Sequence, residues 1–379
     1  MEIELNGCDA LVMVGSSEIN KDMYYATRFH APDSFTFVQM PGESVLLVGE
    51  LELGRARSES CADRVLPSSM FEERLKIRTG NIPRPAEVLL AFLQEMDVRR
   101  IAVPTGFPVG LADYLRNASL HIHVVPDPIF PARQLKTEVE INAIKQAMQA
   151  AEHSLDLAIS TIKDASVFDG VLYFGKEPLT SELLRRLIHV DLLEAGFTAN
   201  RTIVAGGEQG CDPHQIGTGP LRAGETIIID IFPQSTENGY HGDITRTVVK
   251  GKASPAVRRI YQTVMRAQDA ALKSLQDGVD GKEIHCMVQQ LFSQAGYETK
   301  EVNGTMHGFF HGTGHGLGLD VHEAPSIGTK GGILFSGHVV TIEPGLYYPG
   351  VGAVRIEDTV VVRENGHENL TESPRVLEV

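Results

Sequence analysis

The sequence lacks three features, each of which would indicate a particular kind of protein. Its cysteines are scattered without a CxxC pair, so a disulfide scaffold is not expected and a reducing compartment is favoured. It has no run of about eighteen apolar residues, so no membrane-spanning segment is predicted. Residues 1–7 are acidic and lack the basic and apolar parts of a secretory signal. These absences predict a cytoplasmic protein that does not bind membranes. The four cysteines are Cys8, Cys61, Cys211 and Cys286.

Positive charge is also scarce. Lysine and arginine total 34 against 49 aspartates and glutamates, which gives a formal net charge of −15. Because phosphate binding needs a basic face, this balance argues against nucleic acid as a partner. The hydrophobic fraction of 42% is ordinary for a globular protein. A chain of 379 residues is too long for one average core, so two domains are predicted.

Residues 1–134 alternate short β-rich runs with at least one helix, and this alternation predicts an α/β domain. The helix follows Pro85. The segment from Pro126 to Pro131 breaks regular structure and is predicted to be a linker. The predicted elements are the strands Ala10–Val14, Ser34–Gln39, Ser44–Val48, Ile101–Val103 and His121–Val125, and the helix Ala86–Met96.

Residues 135–379 show a different order, in which two pairs of helices each precede β-like runs. Thr137 and Glu140 form a capping box ahead of apolar residues at three- and four-residue spacing, which predicts a long amphipathic helix. The repeated order indicates a structural duplication without readable sequence identity between the halves. The other predicted helices span Ser181–Ala195, start at Ser254-Pro255, and span about Asp280–Ala295.

Two aspartates lie at the ends of β-like runs. Asp230 closes the apolar run 226–229, and Asp243 opens the run 243–249. A carboxylate at the mouth of a buried strand is costly unless it is paired, hydrogen-bonded or bound to a cation. Either aspartate alone is more often a turn or cap residue. Taken with the motifs that follow, the pair favours a metal site.

Histidines are concentrated in a glycine-rich part of the chain. Five of the fourteen lie between His307 and His338. A single histidine is usually structural, but this density favours chemistry. His315 is flanked by Gly314 and Gly316, which permit backbone geometries that other residues resist. The glycines do not fit GxGxxG, so a phosphate-binding loop is rejected.

Two glutamates follow the histidines. Glu343 precedes Pro-Gly, and Glu357 lies in the β-like run Val354–Val362. Period-2 alternation would place Arg355 and Glu357 on one strand face. A surface ion pair is the simple interpretation of these two residues. That pair is compatible with Glu357 binding a metal and Arg355 supporting it.

The order and local context of five residues resemble the ligand set of the M24 metallopeptidases. This pita-bread family includes methionine aminopeptidase, aminopeptidase P and prolidase. The phrases Asp-Ile-Thr-Arg-Thr, His-Gly-Thr-Gly-His-Gly-Leu-Gly-Leu-Asp-Val-His-Glu, Glu-Pro-Gly-Leu-Tyr and Arg-Ile-Glu-Asp-Thr look most like the Xaa-Pro aminopeptidase and prolidase branch. The five residues are Asp230, Asp243, His315, Glu343 and Glu357.

The resemblance is strong over residues 135–379 and loose over residues 1–134. It implies an α/β (α+β) fold in two domains. Residues 1–134 would form a creatinase-like α/β domain that restricts the cleft to short substrates and makes homodimers. Residues 135–379 would form a pita-bread catalytic domain with pseudo-duplicated helix pairs and an antiparallel sheet.

The resemblance also implies a dinuclear-metal exopeptidase. It would hydrolyse the Xaa-Pro bond at peptide N-termini or in dipeptides, by attack of a metal-bridging hydroxide. Asp230 would chelate one metal, and His315 with Glu343 would hold the other. Asp243 and Glu357 would bridge both. An oxygen-rich set with one imidazole suits Mn²⁺ or Co²⁺ at least as well as Zn²⁺.

Five residues acquire catalytic roles from the same resemblance. His322 would contact the substrate and its carbonyl oxygen, His214 would assist near the leaving group, and His311 would shape the pocket. Glu343 would accept the water's proton and pass it to the departing nitrogen. Arg355 would orient the bridging carboxylates or meet the substrate's carboxylate. The alternative for His214 is a surface loop residue.

One local departure and three alternatives bear on these expectations. The link from Asp230 to Asp243 is slightly longer than the family's, with Phe232-Pro233 replacing small residues, which affects the predicted pocket shape. A metal-free amidinohydrolase like creatinase shares the fold but has lost ligands, and all five ligands are present here. A non-catalytic binding protein on this fold would also have lost ligands. Methionine aminopeptidase normally lacks the N-terminal domain.

Overall fold

A computed structural model describes Leu5 and residues 7–379. Residues 1–4 and 6, part of the segment in which no signal peptide is expected, lie outside the described residues. Among the described residues, no helix is both long and apolar enough to cross a bilayer. The chain forms two compact units, Met1–Arg133 and Gln134–Val379.

The N-terminal unit is built on a mixed six-stranded sheet. Successive side chains of a strand point to opposite faces, so Val12 packs with Phe92 on one side while Met13 packs with Phe29 on the other. The predicted strands and helix are confirmed to within one residue at each end. The strands in spatial order are Arg64–Pro67, Glu43–Val48, Phe35–Met40, Ala10–Gly15, Arg100–Pro104 and His121–Val125.

Five helices are present in the described part of this unit, and four of them have no clear signal in the sequence. The helix Glu50–Glu59 shows the reason, because Ala56 is its only buried residue and no apolar period results. The strand Arg64–Pro67 was also not predicted, since none of its four side chains is fully buried. The helices are Lys21–Thr27, Glu50–Glu59, Ser69–Thr79, Pro85–Glu95 and Val109–Asn117, and the short 3₁₀ helix Pro131–Gln134 follows.

The C-terminal unit contains two packed helix pairs. Glu138–Asp164 contacts Ser181–Glu194, and Pro255–Ser274 contacts Gly281–Gln294. The predicted capping box is confirmed, because Thr137 accepts from the Glu140 N–H and the Glu140 carboxylate accepts from the Thr137 N–H. All four predicted helices are therefore present.

Each helix pair precedes an antiparallel sheet, which confirms the predicted duplication. The first sheet has the order Ile203–Gly206, Thr226–Ile231, Ile244–Val249, and the second has the order Glu323–Ile327, Gly314–Gly316, Val339–Ile342, Asp358–Arg363, Gly366–Asn369. The remaining strands are Ser166–Phe168, Val171–Phe174, Glu177–Pro178, Phe197–Thr198, Gln234–Ser235, Lys300–Val302, Thr305–His307, Gly345–Tyr348 and Gly352–Arg355, with a 3₁₀ helix at Gly207–Cys211.

The two halves of this unit meet at the ends of their strands. The Glu357 N–H donates to the Thr245 carbonyl at 3.0 Å, and the Thr359 hydroxyl donates to the Asp243 carbonyl at 2.8 Å. The run Val354–Val362, predicted as one strand, is broken at Ile356-Glu357, where the chain leaves one sheet and joins another. This break places Glu357 beside residues from the first half.

Candidate metal centre

The five predicted ligands converge at this junction. One ligand atom from each of Asp243, His315 and Glu357 lies within 4.8 Å of the others. His315 Nε2 is 3.5 Å from Glu343 Oε1 and 3.8 Å from Asp243 Oδ2. Asp230 pairs across the first sheet with Thr245, whose hydroxyl donates to Glu357 Oε2 at 2.7 Å. The structure therefore brings together residues that are far apart in the sequence.

His315 lies on a three-residue strand whose backbone is in close contact with the adjacent strands. A Cβ on Gly314 would lie 1.8 Å from the Thr341 carbonyl oxygen, and one on Gly316 would lie 2.5 Å from that of Ala324. Neither glycine has a positive φ. The expectation that these glycines supply unusual backbone geometry is therefore wrong. They are needed because other strands approach too closely for a side chain.

The carboxyl groups of the site are crowded and buried. Burial and the nearby Glu357, Asp230 and Glu343 raise the pKa of Asp243 well above its usual value. Burial, Glu343 and Asp230 do the same for Glu357. Burial raises the pKa of Glu343 to about 8 despite the opposing charge of Arg355. Without additional positive charge, the protein holds these groups in an environment that disfavours ionisation.

The ring of His315 presents a lone pair to these oxygens. Burial and the neighbouring His322 lower its pKa to about 3, so the ring is neutral. Its Nδ1 lies 3.2 Å from the Gly316 carbonyl oxygen, which can only accept, so Nδ1 carries the hydrogen. Nε2 therefore faces the Asp243 and Glu343 oxygens with an electron pair. That arrangement is unfavourable unless a cation, or a proton on one of the carboxyl groups, lies between them.

Two oxygens of the site lack hydrogen-bond donors among the described residues. Asp230 Oδ1 and Asp243 Oδ1 are buried and accept no hydrogen bond. A buried acceptor left unsatisfied costs about 1–3 kcal/mol. Hard oxygen ligands with a single imidazole suit divalent cations such as Mn²⁺. The residues present therefore fit a centre that binds divalent metal ions.

Arg355 is buried beside this centre and does not form the expected surface ion pair with Glu357. Its Nη2 lies 2.6 Å from Asp230 Oδ2. Nε donates to the Thr245 hydroxyl at 3.3 Å, and Nη1 donates to the Tyr347 hydroxyl at 3.1 Å. The strand break after Arg355 explains the difference, because period-2 alternation does not continue to Glu357.

Tyr347 joins Arg355 to His311. His311 Nδ1 donates to the Gly312 carbonyl at 2.8 Å, and burial together with Arg355 lowers its pKa to about 3. The free Nε2 therefore accepts from the Tyr347 hydroxyl at 2.9 Å. Sequence reasoning gave Tyr347 no role, although it lies in the phrase Glu-Pro-Gly-Leu-Tyr.

His322 and His214 lie at the open side of the site. The His322 ring is exposed and packs edge-on against His315, with 4.3 Å between ring centroids. Partial loss of water and the neighbouring His214 lower the pKa of His322. His214 is exposed, and its backbone N–H donates to Asp212 Oδ1 at 3.1 Å. Both rings are therefore accessible from solvent.

A buried ion pair fixes the loop that carries His322. Lys136 Nζ lies 2.6 Å from Glu323 Oε1, and both side chains are almost fully enclosed. A Cβ on Gly318 would lie 2.0 Å from the same Glu323 oxygen, so the loop closes over this pair. The sequence motif contains Glu323 and Gly318, but nothing in it identifies Lys136 as their partner.

Comparisons with known proteins identify the family. Residues 142–364 match metallopeptidase family M24. The Xaa-Pro dipeptidase of Pyrococcus horikoshii is 28% identical over 99% of this chain and 96% of its own length. The Xaa-Pro dipeptidase of Pyrococcus furiosus is 32% identical over 67% of each chain. The chain belongs to metallopeptidase family M24 and is a peptide hydrolase of its Xaa-Pro peptidase branch.

Solved structures of peptidases have the same fold as this chain. The prolidase from Pyrococcus furiosus has a TM-score of 0.79 and 26% identity over 98% of both chains. The X-Pro aminopeptidase from Thermotoga maritima has a TM-score of 0.81 and 25% identity, also over 98% of both. The Xaa-Pro dipeptidase from Bacillus anthracis, 22% identical with a TM-score of 0.83, shows the shared fold. The predicted α/β pita-bread fold is therefore confirmed.

Proposed function

We propose that this protein is a dinuclear-metal peptidase that hydrolyses the bond between a first residue and a following proline. The observation that carries the proposal is the convergence of His315 Nε2 with the Glu343 and Asp243 oxygens. Two buried aspartate oxygens beside it accept no hydrogen bond from the described residues. The relatives named Xaa-Pro dipeptidases, one of them matched over nearly its full length, favour dipeptides as the first substrates to test.

Five side chains would hold two divalent ions. Asp230 would bind one ion, His315 and Glu343 the other, and Asp243 with Glu357 both. When bound, the ions would lower the pKa of a water molecule and polarise the scissile carbonyl. Mn²⁺ and Co²⁺ are the proposed metals, with Zn²⁺ the third choice.

The chain's own residues would divide the remaining work. Glu343, 3.5 Å from His315 Nε2, would take a proton and deliver it to the departing nitrogen. His322 would donate to the substrate carbonyl, since its ring is exposed beside His315. His214 would assist near the leaving group, and His311 would shape the pocket wall. Arg355 would hold Asp230 in one orientation.

Three further properties remain predictions from the sequence and from its resemblance to the family. They are a homodimer, a cytoplasmic location and the assignment of residues 1–134 as a creatinase-like domain. The amidinohydrolase and binding-protein alternatives are not favoured, because the relatives matched are peptidases.

The decisive experiment compares metal-stripped and reloaded protein. Xaa-Pro dipeptides and Xaa-Pro-Yaa tripeptides are assayed with Mn²⁺, Co²⁺ or Zn²⁺, and Xaa-Ala peptides serve as the control. We expect EDTA to abolish hydrolysis and Mn²⁺ to restore it, with a preference for proline. Hydrolysis that survives complete metal removal would refute the proposal. Cleavage of creatine instead of peptides would favour the amidinohydrolase.

A further inference from the structure

Gln268 is a fully buried polar residue on the helix Pro255–Ser274. Its side-chain nitrogen donates two hydrogen bonds, to the Ile342 carbonyl at 3.1 Å and to the Ile356 carbonyl at 3.3 Å. These two carbonyls lie on different segments of the chain. One amide group therefore links two segments that are separate in the sequence.

The two carbonyls belong to the peptide groups that immediately precede Glu343 and Glu357. A peptide group is planar, so the carbonyl of one residue and the N–H of the next move as one unit. The N–H of Glu343 donates to the Thr313 carbonyl at 2.8 Å, and that of Glu357 donates to the Thr245 carbonyl at 3.0 Å. Each peptide group is thus hydrogen-bonded through both its carbonyl and its N–H, and Gln268 binds the carbonyl of each.

The orientation of the Gln268 amide is set by its partners. Carbonyl oxygens only accept and a guanidinium only donates, so the nitrogen must face Ile342 and Ile356 while the oxygen faces Arg375. Arg375 Nη1 donates to Gln268 Oε1 at 2.9 Å and also pairs with Asp269 Oδ1 at 2.6 Å. All the hydrogen-bonding capacity of the amide nitrogen is therefore directed at the two peptide groups.

A buried glutamine that merely satisfies strand-end carbonyls is the ordinary interpretation. It does not explain why both carbonyls directly precede proposed metal ligands on two separate segments of the chain. We propose that Gln268 is a positioning residue that sets the spacing of the Glu343 and Glu357 backbones, and with it the affinity for the metal pair. This inference rests on the proposed function, since it concerns the same metal centre.

The test uses Gln268→Met, which keeps the length of the side chain and removes both donors. Gln268→Glu, which keeps the acceptor for Arg375, is the second variant. Leu272→Ala is the control, because Leu272 lies one turn further along the same helix and packs in the apolar core. Urea unfolding of the metal-free proteins shows how far each substitution lowers stability.

Metal affinity is measured by titrating each metal-free protein with Mn²⁺ and following its EPR signal. Loss of groups that support metal ligands typically weakens metal binding about 10- to 100-fold, and we expect that range for both Gln268 variants. Leu272→Ala should lose stability but bind Mn²⁺ as the wild type does. If Gln268→Met fails to fold, the Gln268→Glu variant decides the outcome.

The outcomes separate this inference from the proposed function. Wild-type Mn²⁺ affinity in a folded Gln268 variant would overturn the positioning role alone. Equal weakening in Leu272→Ala would also overturn it, because the effect would then follow from lost stability. A wild-type chain that binds none of Mn²⁺, Co²⁺ and Zn²⁺ would overturn both the positioning role and the metallopeptidase mechanism.

Discussion

Arg355 forms a buried ion pair with Asp230, with 2.6 Å between Nη2 and Oδ2. The pair occupies one oxygen of the carboxylate, and Oδ1 has no donor in the part of the chain that the structure describes. Because Nε and Nη1 have partners of their own, the guanidinium cannot turn away from Asp230 without breaking two further hydrogen bonds. One oxygen of the aspartate is thereby reserved for a different ligand.

Replacing Arg355 should therefore destabilise the metal-free protein more than the metal-bound protein. Breaking a buried ion pair by removing one partner typically costs about 3–5 kcal/mol, because the other charge stays buried. We expect Arg355→Met to lower the free energy of unfolding by that amount in EDTA. Added Mn²⁺ should recover part of the loss, since a cation would again face Asp230. Urea unfolding with and without Mn²⁺ measures both effects.

The matched control for this substitution is Arg74→Met. Arg74 pairs with Glu95 at 2.7 Å, but both side chains are more than half exposed. An exposed ion pair contributes at most about 1 kcal/mol. Equal destabilisation by the two substitutions would contradict the role assigned to the Arg355–Asp230 pair.

Asp243→Ala should abolish activity and reduce the amount of bound metal. Asp243 is proposed to bind both ions, and metal catalysis contributes several kcal/mol, which corresponds to about a thousandfold or more in kcat/KM. Metal analysis should find at most one ion per chain in the variant. Glu357→Ala should behave in the same way. Hydrolysis at the wild-type rate in either variant would exclude the two-metal assignment.

Gly314→Ala tests the close contact between strands beside His315. The new Cβ would lie 1.8 Å from a backbone oxygen, so the strands must separate. We expect a loss of stability of about 1–3 kcal/mol, as in other overpacked sites, together with weaker metal binding. Gly54→Ala is the control, because Gly54 lies in an exposed helix with open space around it. That change should stabilise the protein by about 0.5–1 kcal/mol.

His338 should make stability depend on pH. It is only 3% exposed, and burial together with Lys136 lowers its pKa to about 4 against the weaker opposing effect of Asp277. Its Nδ1 accepts from the Phe335 N–H at 3.0 Å, which requires an unprotonated nitrogen. The unfolded chain takes up the proton near pH 6.5, before the folded chain does. The contribution of neutral His338 to the free energy of unfolding is therefore fully present above pH 6.5. It falls by about 3 kcal/mol towards pH 4.

His338→Asn isolates this effect, because the asparagine oxygen can still accept the Phe335 N–H but does not titrate. Unfolding free energies of the two proteins are compared between pH 7 and pH 4. The difference between them should change steadily in that interval. A difference that is independent of pH would show that His338 does not titrate on unfolding.

Local sequence signals predicted much of the fold. The capping box at Thr137 and Glu140 depends only on residues three positions apart, and the structure reproduces it. The helix Glu50–Glu59 escaped prediction because it buries a single alanine. The break at Ile356-Glu357 also escaped, since both flanking runs are apolar and only the partner strands differ.

In the site too, local motifs could be predicted from the sequence and long-range contacts could not. The ligand motifs were readable because each ligand lies within a distinctive local phrase, and the structure gathers all five. The simple interpretation of Arg355 and Glu357 as a surface ion pair is wrong, and the observed partner, Asp230, could not be identified because it is distant in sequence. Lys136 and Gln268 could not be identified for the same reason. Their contacts join segments that only the tertiary structure brings together.

The hydrogen bonds from Arg355 through Tyr347 to His311 run in one direction, because each group fixes which atom of the next one donates. A substitution at any member leaves a buried donor or acceptor without a partner at the next. Removing the polar group of any one member should therefore cost about 1–3 kcal/mol of stability. The three side chains act as one unit, and a single substitution affects more than the residue that is replaced.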